Sequence, residues 1–362
     1  MRFIELFGGI GGFRLGLERA DSRFKSVWYN DFDKYAVSVY NEVFKENYES
    51  GDIKQIRSEE VPEHDLLTGG FPCQAFSIAG KREGFNDTRG TLFFEIARIL
   101  KVKRPKHLLL ENVKGLLNHK KGQTFRIIIQ TLQELGYDVE WGVLNSRYYG
   151  VPQNRERVFI VGHYGGTCGR KVFPIRENEE EVVQEESSEG LEQVAQTLLA
   201  RQYANWDGNF VSYPKVAGTL TGGGNSGGLH SDMDWIGLNT VRAHSLYPRS
   251  SKTGEGGTGP LSKSDGTAYC LDTGNNQAIS HKIHEDMKIR RLTPIECERL
   301  QGFPDNWTAK GDGFDKWTEN ISDTQRYKML GNAVTVNVIE RIAKELIKQR
   351  DHLCFYLCLP GH

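Results

Sequence analysis

Short apolar runs alternate with amphipathic stretches from residue 2 to about residue 163 of this 362-residue chain. The apolar runs have the length of buried strands. The stretch 90–103 instead spaces its apolar residues along one face of a helix: Leu92, Phe93, Ile96, Ile99 and Leu100. This alternation predicts an α/β fold with a doubly wound, mostly parallel sheet and crossover helices. The predicted strands are Arg2–Phe7, Lys25–Asn30, Asp65–Gly70, 106–110 and Val158–Val161.

A different pattern begins after His163. Between residues 218 and 266 the chain holds twelve glycines, many Thr, Ser and Asn residues, and little helical periodicity. Such a composition predicts short strands and long loops, which suit a contact surface. Aromatic residues spread through the region argue against a flexible linker. They are Trp206, Phe210, Tyr213, Trp235, Tyr247 and Tyr269.

Several predicted strands are followed by residues that can carry chemistry. Pro72 and the glycines before it present the thiol of Cys73, although free cysteines are more often buried in cores. The carboxyl ends of parallel strands meet at one sheet edge, so these residues are expected to form one site. The glycine-rich turn Gly8–Gly12 lacks strict G-x-G-x-x-G spacing, which favours a cofactor without a pyrophosphate. The other strand-end residues are Asp31, Glu111 and the run Gln153–Arg157.

Taken in order, these motifs resemble those of the DNA cytosine-C5 methyltransferase family of prokaryotes and phages. The resemblance covers most of the chain. Two departures are visible, with Glu5 where the family more often has Asp and Gly8 where it often has Ala. The matching motifs are Phe7–Gly12, Asn30–Asp33, Gly51–Ile53, Phe71–Gln74, Arg89–Phe94, Glu111–Val113, Gln153–Arg157, Arg291–Pro294, Glu298–Pro304 and Gly331–Val334.

The resemblance implies covalent catalysis on cytosine. Cys73 would add to C6, which makes C5 nucleophilic. Glu111 would bind N4 and protonate N3, and Arg155 would hold O2. Arg157 and Gln153 would order the site. The expected substrate-binding residues also include Gln74 and, in the target-recognition region, Thr219 and Leu220.

The same resemblance implies that S-adenosylmethionine is the cofactor. Asp31 would bind the ribose hydroxyls, and Asp52 with Ile53 would contact the adenine. Asn332 and Val334 would close over the methionine end. The remaining residues expected to bind the cofactor are Phe7, Gly9, Ile10, Gly12, Phe32, Pro72 and Leu92.

The expected domains follow from the family and from the change in composition. Residues 1–163 would form the catalytic domain, and residues 164–288 a smaller target-recognition domain that reads duplex DNA in the major groove. Residues 289–350 would return to the catalytic domain, their last helix (about 334–350) packing beside the first strand. Residues 351–362 would form a tail.

Charge and cysteine usage fit this reading. The net charge is −1, but residues 177–192 hold eight Glu and no Lys or Arg, so the remainder is net positive. DNA phosphates need only a local basic surface. No run approaches the roughly 20 apolar residues that span a bilayer, and no signal peptide precedes the first strand. The six cysteines lack zinc-site spacing. We expect a metal-free, monomeric, cytoplasmic enzyme, either paired with a restriction endonuclease or acting as a solitary methylase.

Three other functions remain as alternatives. A tRNA cytosine-C5 methyltransferase would use the same scaffold, but the variable region between residues 164 and 288 is longer than such an enzyme needs. An inactive DNA-binding relative would have lost catalytic residues, whereas Cys73, Glu111 and Arg155 are present. A nicotinamide oxidoreductase would leave the proline–cysteine loop unexplained.

Overall fold

A computed structural model describes residues 1–72, 92–165, 171–175, 242–245, 261–263, 277–283, 286–312 and 319–357. The strands in these ranges are β1 (Arg2–Leu6), β2 (Lys25–Asn30), β3 (Leu66–Gly70), β4 (His107–Val113), β5 (Tyr137–Asn145), β6 (Glu156–Tyr164), β7 (Arg242–Ser245), β8 (Leu261–Lys263), β9 (Gln277–Ile283) and β10 (Asp286–Arg291). The helices are α1 (Gly12–Ala20), α2 (Lys34–Phe44), α3 (Leu92–Lys103), α4 (Gln123–Glu134), α5 (Pro294–Leu300), α6 (Asp323–Asn332) and α7 (Val336–Leu357). No helix in these ranges is long and apolar enough to cross a bilayer.

The larger sheet has six strands in the order β2-β1-β3-β4-β6-β5. Strands β1 to β4 pair in parallel, and β6 runs antiparallel to both of its neighbours. The prediction of a mostly parallel α/β sheet is confirmed. The strand order changes direction between β1 and β3, and open α/β sheets bind ligands at the carboxyl ends of the strands beside such a point.

Helices cover both faces of this sheet because its strands are apolar on both sides. On one face, Phe3 and Leu109 pack with the apolar side chains of α1 and α7. On the other face, Ile4 and Leu108 pack with those of α3 and α4. Neighbouring residues along a strand point to opposite faces, so one short apolar run supplies both cores.

The last helix packs against the first, although most of the chain separates them. Phe13 and Leu17 of α1 share one buried cluster with Val338 and Ile342 of α7. Helix α7 continues to Leu357, whereas its predicted end was residue 350. Residues 351–357 contain neither Gly nor Pro, so nothing in the local sequence stops the helix there.

A second sheet is formed by β7 to β10, which pair antiparallel in the order β10-β9-β7-β8. Short strands were predicted in this part of the chain. Strand β10 runs to Arg291, across the boundary expected at residue 288. The acidic run 177–192 lies outside the described residues.

Gly16 tests the contact between α1 and α7. A methyl group at Gly16 would lie 2.6 Å from Cβ of Ile339 and 2.8 Å from the carbonyl oxygen of Val336. We expect Gly16→Ala to lower the free energy of unfolding by about 1–3 kcal/mol, because overpacking outweighs the gain in helix propensity. Denaturant unfolding measures this.

The matched control is Gly115→Ala, whose new methyl group would meet only Cγ2 of Val113, at 4.0 Å. This variant should unfold within about 0.5 kcal/mol of the wild type. A Gly16→Ala protein as stable as this control would show that the two helices separate more easily than their packing implies.

Candidate active site

A cleft of about 370 Å³ opens at the carboxyl edge of the larger sheet. Its walls come from the segments that follow β1, β2 and β3, from the end of β4, from the start of β6, and from the link between α6 and α7. Most of the residues predicted to be functional line it. These are Phe7, Gly9, Ile10, Gly12, Asp31, Phe32, Pro72, Leu92, Glu111, Arg155, Arg157, Asn332 and Val334.

The turn after β1 brings bare backbone to the cleft. Gly9 has a φ of +55°, and a side chain there would meet no atom within 4 Å, so the space beside it is open. At Gly12 a Cβ would instead lie 2.8 Å from Cγ1 of Val334. Glycine is thus required at position 12 because α1 approaches the segment that begins the C-terminal helix.

The side chains of Tyr29, in β2, and Asp31, just after β2, fix the position of Gly9. The hydroxyl of Tyr29 donates to the Gly9 carbonyl (2.8 Å), and the Gly9 amide donates to Oδ2 of Asp31 (2.8 Å). The amide of Asp33 donates to the other Asp31 oxygen (2.8 Å). Burial raises the pKa of Asp31, and the two amide donors oppose this rise.

Glu5 lies beneath this turn and is fully buried. Its carboxylate accepts from the amide of Arg14 (3.0 Å) and the hydroxyl of Tyr40 (2.8 Å). Burial raises the pKa of Glu5 to about 7, against the effect of these donors. A methyl group at Gly8 would come within 2.8 Å of the Tyr29 ring. Tyr29 therefore explains why glycine replaces the alanine more usual in the family.

The link after β2 also presents an exposed aromatic ring to the cleft. Phe32 is 77% exposed, which is unusual for so large an apolar side chain. Beside it, Asp33 accepts from Nζ of Lys328 (2.7 Å), which joins the start of α2 to α6. The pair is partly exposed, so its contribution to stability is small.

Asp52 and Ile53 are not among the residues that line the cleft. Asp52 accepts from the amide of Lys54 at the start of a short 3-10 turn, and Ile53 is buried. The preceding Gly51 donates to the carbonyl of Asp31 (2.9 Å), so this segment is fastened next to the cleft. Contact of Asp52 and Ile53 with the adenine stays a prediction.

Glu111 and Arg157 form an ion pair inside the cleft. Nε of Arg157 lies 3.0 Å from Oε1 of Glu111, and the two side chains are only 15% and 12% exposed. The register of β4 and β6 sets this contact, because Arg157 of β6 pairs with Val113, two residues after Glu111 in β4. Burial raises the pKa of Glu111, and the charges of Arg157 and Arg155 oppose the rise. Gly70, opposite Glu111 in β3, leaves room for this carboxylate.

Arg155 lines the same cleft, and its guanidinium donates to main-chain carbonyls of the cleft wall. Its side chain is buried, and Nη2 donates to the carbonyls of Gly331 (3.2 Å) and Ala333 (2.8 Å). These carbonyls flank Asn332, so Arg155 holds the link between α6 and α7 in place. Gln153 is fully buried and donates to the carbonyl of Leu300 (2.8 Å), away from the cleft.

The loop that carries the predicted nucleophile begins at the cleft. Pro72 is exposed and lines it, and the Phe71 carbonyl accepts from Nδ2 of Asn112 (2.8 Å). Cys73 and the predicted substrate-binding residues Gln74, Thr219 and Leu220 lie outside the described residues. Their roles stay predictions.

Three supporting side chains were not singled out by the sequence. Asn112 stood inside the motif Glu111–Val113, and an amide side chain at the end of an apolar strand was the available signal. Tyr29 and Lys328 gave no signal, because their partners Gly9 and Asp33 are distant in sequence and meet them only in the fold.

The comparisons with known proteins agree with this geometry. A family model described as C-5 cytosine-specific DNA methylase matches residues 1–348. The chain belongs to this family. Type II methyltransferase M1.ScrFI of Lactococcus lactis subsp. cremoris is 38% identical over 352 residues, which cover 96% of this chain and 78% of the relative. Type II methyltransferase M.HhaI of Haemophilus parahaemolyticus is 35% identical over 356 residues, with coverage of 95% and 93%.

Among solved structures, the Dnmt2 methyltransferase of S. pombe superposes with a TM-score of 0.63 at 20% identity, covering 97% of this chain and 99% of that one. At that identity the likeness supports the fold only. The predicted activity, DNA cytosine-C5 methylation of the restriction–modification type, is confirmed at the level of the family. The family's methyl donor is S-adenosylmethionine, as predicted.

The buried carboxyl of Glu5 makes stability depend on pH. The pKa of Glu5 is about 7 in the folded protein against an ordinary value of 4.5, so between these values the folded state holds a proton that the unfolded state has lost. Stability due to Glu5 is therefore full below pH 4.5 and falls as pH rises to about 7. We expect the free energy of unfolding, wild type minus Glu5→Gln, to decrease by about 3 kcal/mol over this interval.

Denaturant unfolding of both proteins at a series of pH values measures this difference. Because all other titrating groups are shared, the subtraction isolates Glu5. A difference that stays constant with pH would mean that Glu5 titrates alike in the folded and unfolded states.

Proposed function

We propose that this enzyme transfers a methyl group from S-adenosylmethionine to C5 of a cytosine that has been flipped out of a specific duplex DNA sequence, through a covalent Cys73–C6 intermediate. The observation that carries the proposal is the mostly buried Glu111–Arg157 pair, which lines the same cleft as Pro72 and the glycine turn. One end of the cleft suits a cofactor, and the other suits a polar ring that must exchange protons.

The cleft residues fit the cofactor. Open space beside Gly9 admits a ligand against the backbone, the Asp31 carboxylate can accept from two ribose hydroxyls, and Phe32 offers an exposed ring for an adenine face. Asn332 and Val334 would contact the methionine portion. When bound, S-adenosylmethionine supplies an electrophilic methyl group.

The chain's own residues supply the chemistry at the base. The Cys73 thiolate adds to C6, and the electron pair of the C5–C6 double bond moves into the ring while Glu111 protonates N3. C5 of this adduct is nucleophilic and would accept the methyl group, with the thioether S-adenosylhomocysteine as the leaving group. Loss of the C5 proton to a base restores the double bond, the C6–S electron pair leaves with the Cys73 thiolate, and N3 returns its proton to the Glu111 carboxylate.

Two features of Glu111 and Arg157 support this assignment. Burial raises the pKa of Glu111, which keeps its proton more available near neutral pH than that of an exposed carboxyl. We assign the contact with O2 of the base to Arg157 rather than to Arg155, because the Arg155 guanidinium donates to two main-chain carbonyls. Arg155 is a positioning residue in this scheme.

Flipping of the target base and recognition of the DNA sequence around it would involve residues 164–288. A base stacked inside a duplex cannot enter a cleft of the enzyme, and flipping it out costs a few kcal/mol. We propose that residues 164–288 hold the opened duplex and read neighbouring base edges, while residues 1–163 and 289–350 perform the chemistry. Polar side chains on loops can distinguish base pairs in the major groove.

The cellular setting belongs to the same proposal. A type II pairing, in which a restriction endonuclease cuts the unmodified form of the same DNA sequence, is supported by the relatives at 35–38% identity. We propose a monomer that acts on DNA in the cytoplasm of a bacterial or phage-infected cell.

The covalent step can be tested with DNA that contains 5-fluorocytosine. Fluorine at C5 cannot leave as a proton does, so the wild type with S-adenosylmethionine should become trapped on the DNA as a stable adduct. Cys73→Ser should form no adduct and should lose turnover, because a hydroxyl is a far weaker nucleophile at neutral pH. Denaturing electrophoresis and transfer of labelled methyl groups measure the two effects.

Cys297→Ala provides the control, since Cys297 is buried in the core and does not line the cleft. It should still form the adduct. Near-normal turnover by Cys73→Ser would exclude the covalent mechanism. Methyl transfer to tRNA but not to DNA would instead favour the tRNA methyltransferase.

The different contacts of the two arginines predict different defects. Arg155→Lys keeps the charge but loses the paired donation to Gly331 and Ala333, so we expect cofactor binding to weaken by about tenfold. Arg157→Lys should leave cofactor affinity within about twofold and slow methyl transfer by about 10²-fold, the effect of losing one charge-stabilising donor. Calorimetry and single-turnover kinetics separate binding from chemistry.

If both substitutions weakened cofactor binding equally, Arg155 and Arg157 could not be assigned the different roles of positioning residue and base contact. A slow chemical step in Arg155→Lys at saturating cofactor would return the O2 contact to Arg155, as the family resemblance first implied.

A further inference from the structure

The segment between β4 and α4 begins beside Glu111 and is strongly basic. From Lys114 to Gly122 it contains three lysines and no Asp or Glu, and α4 adds Arg126 before the first carboxylate, Glu134. Lys114 donates to both carboxylate oxygens of Glu156 (2.8 Å each). The two other lysines, Lys120 and Lys121, are exposed.

The fold places this segment at the edge of the sheet that carries the cleft. Strand β4 ends at Val113, which lines the cleft, and the 3-10 turn Lys114–Asn118 follows directly. Leu116 anchors the turn in the core that α4 also covers. Arg147, in the turn after β5, lies at the same edge. This rim therefore carries positive charge next to the place where the target base would enter.

The backbone holds Lys120 and Lys121 in a defined arrangement. Their φ angles are +48° and +56°, and Gly122 follows at +81°. Three successive hydrogen bonds close this left-handed turn, from the amides of Lys121, Gly122 and Gln123 to the carbonyls of Asn118, His119 and Lys120 (3.1–3.2 Å). Nδ1 of His119 also lies 2.7 Å from Oγ1 of the buried Thr124.

The residue types in this turn are not those that its backbone favours. Gly, Asn and Asp adopt left-handed conformations more readily than lysine does. A turn that nevertheless presents two adjacent lysines, in a segment without carboxylates, forms a local positive surface. Local cations bind the phosphates of a duplex even when the net charge of the protein is close to zero.

We propose that Lys120 and Lys121 contact backbone phosphates of the duplex next to the flipped cytosine, as a sequence-independent part of DNA binding. The inference rests on the proposed function, because it needs the duplex to lie over the cleft. It adds a DNA-binding surface within the catalytic part of the chain, separate from residues 164–288. Phosphate contacts of this kind fix the position of the duplex but do not select its sequence.

The test compares Lys120→Asn/Lys121→Asn with Lys101→Asn/Lys106→Asn. Asparagine removes the charge and tolerates the left-handed turn. The control pair is also exposed and removes the same charge, but Lys106 precedes β4 at the opposite edge of the sheet. Both variants and the wild type are titrated with two labelled duplexes of unrelated sequence, across a series of salt concentrations.

For Lys120→Asn/Lys121→Asn we expect the slope of log affinity against log salt to become shallower by about 1.8, or about 0.9 for each phosphate that the variant no longer neutralises. Both duplexes should be weakened by a similar factor, and cofactor affinity should be unchanged. The control pair should keep the wild-type slope, as should Lys120→Arg/Lys121→Arg, which retains both charges.

A wild-type slope in Lys120→Asn/Lys121→Asn would overturn the inference, as would weaker binding of only one of the two duplexes. An equal change of slope in the control pair would mean that overall charge, not this surface, is responsible. If the wild type neither binds nor methylates DNA, the proposed function itself fails. This outcome differs from failure of the inference about Lys120 and Lys121, because it is seen in the unsubstituted protein.

Discussion

The close contact between Gly16 of α1 and Ile339 of α7 is the constraint on which the rest of the structure depends. It brings the C-terminal helix onto the sheet face formed by Phe3 and Leu109, and so completes the core that the N-terminal half leaves open. The same helix is preceded by the link that forms one wall of the cleft. Val334 belongs to both, since it is buried in this core and also lines the cleft. Folding of the core and formation of the site are therefore coupled.

Buried polar groups then fasten that link to the remainder of the site. Arg155 donates to the carbonyls of Gly331 and Ala333, and Gln301 donates to the carbonyl of Leu330 (2.8 Å). The hydroxyl of Thr335 donates to Oε1 of Gln301 (2.9 Å). Such networks are costly unless each member is satisfied, so they fix one arrangement of the wall. In this arrangement Arg157 is paired with the Glu111 carboxylate, while the buried guanidinium of Arg155 donates to main-chain carbonyls.

The departures from the family pattern are linked through the same side chains. The Tyr29 ring occupies the space that a methyl group on Gly8 would need, and its hydroxyl holds the Gly9 carbonyl. Glu5 reaches both the start of α1 and the Tyr40 hydroxyl, and Tyr40 stacks on Tyr29 at 3.8 Å between ring centroids. Glycine at position 8 and a buried carboxyl at position 5 thus belong to one packing arrangement beneath the glycine turn that follows β1.

The sequence by itself determined the fold class, five of the six strands of the larger sheet and most of the predicted residues that line the cleft; it missed β5. Apolar runs of strand length specify buried strands wherever they occur, and parallel strands bring the residues after them to one edge. Pairings between distant residues were decided only by the tertiary structure. Arg157 meets Glu111 through the register of β4 and β6, and Arg155 reaches Gly331 and Ala333 because α7 returns to α1. An arginine side chain can donate hydrogen bonds to a DNA base, to a carboxylate or to a main-chain carbonyl. Its position in the sequence does not show which of these acceptors it contacts. That choice depends on the donors and acceptors that the folded chain places around it.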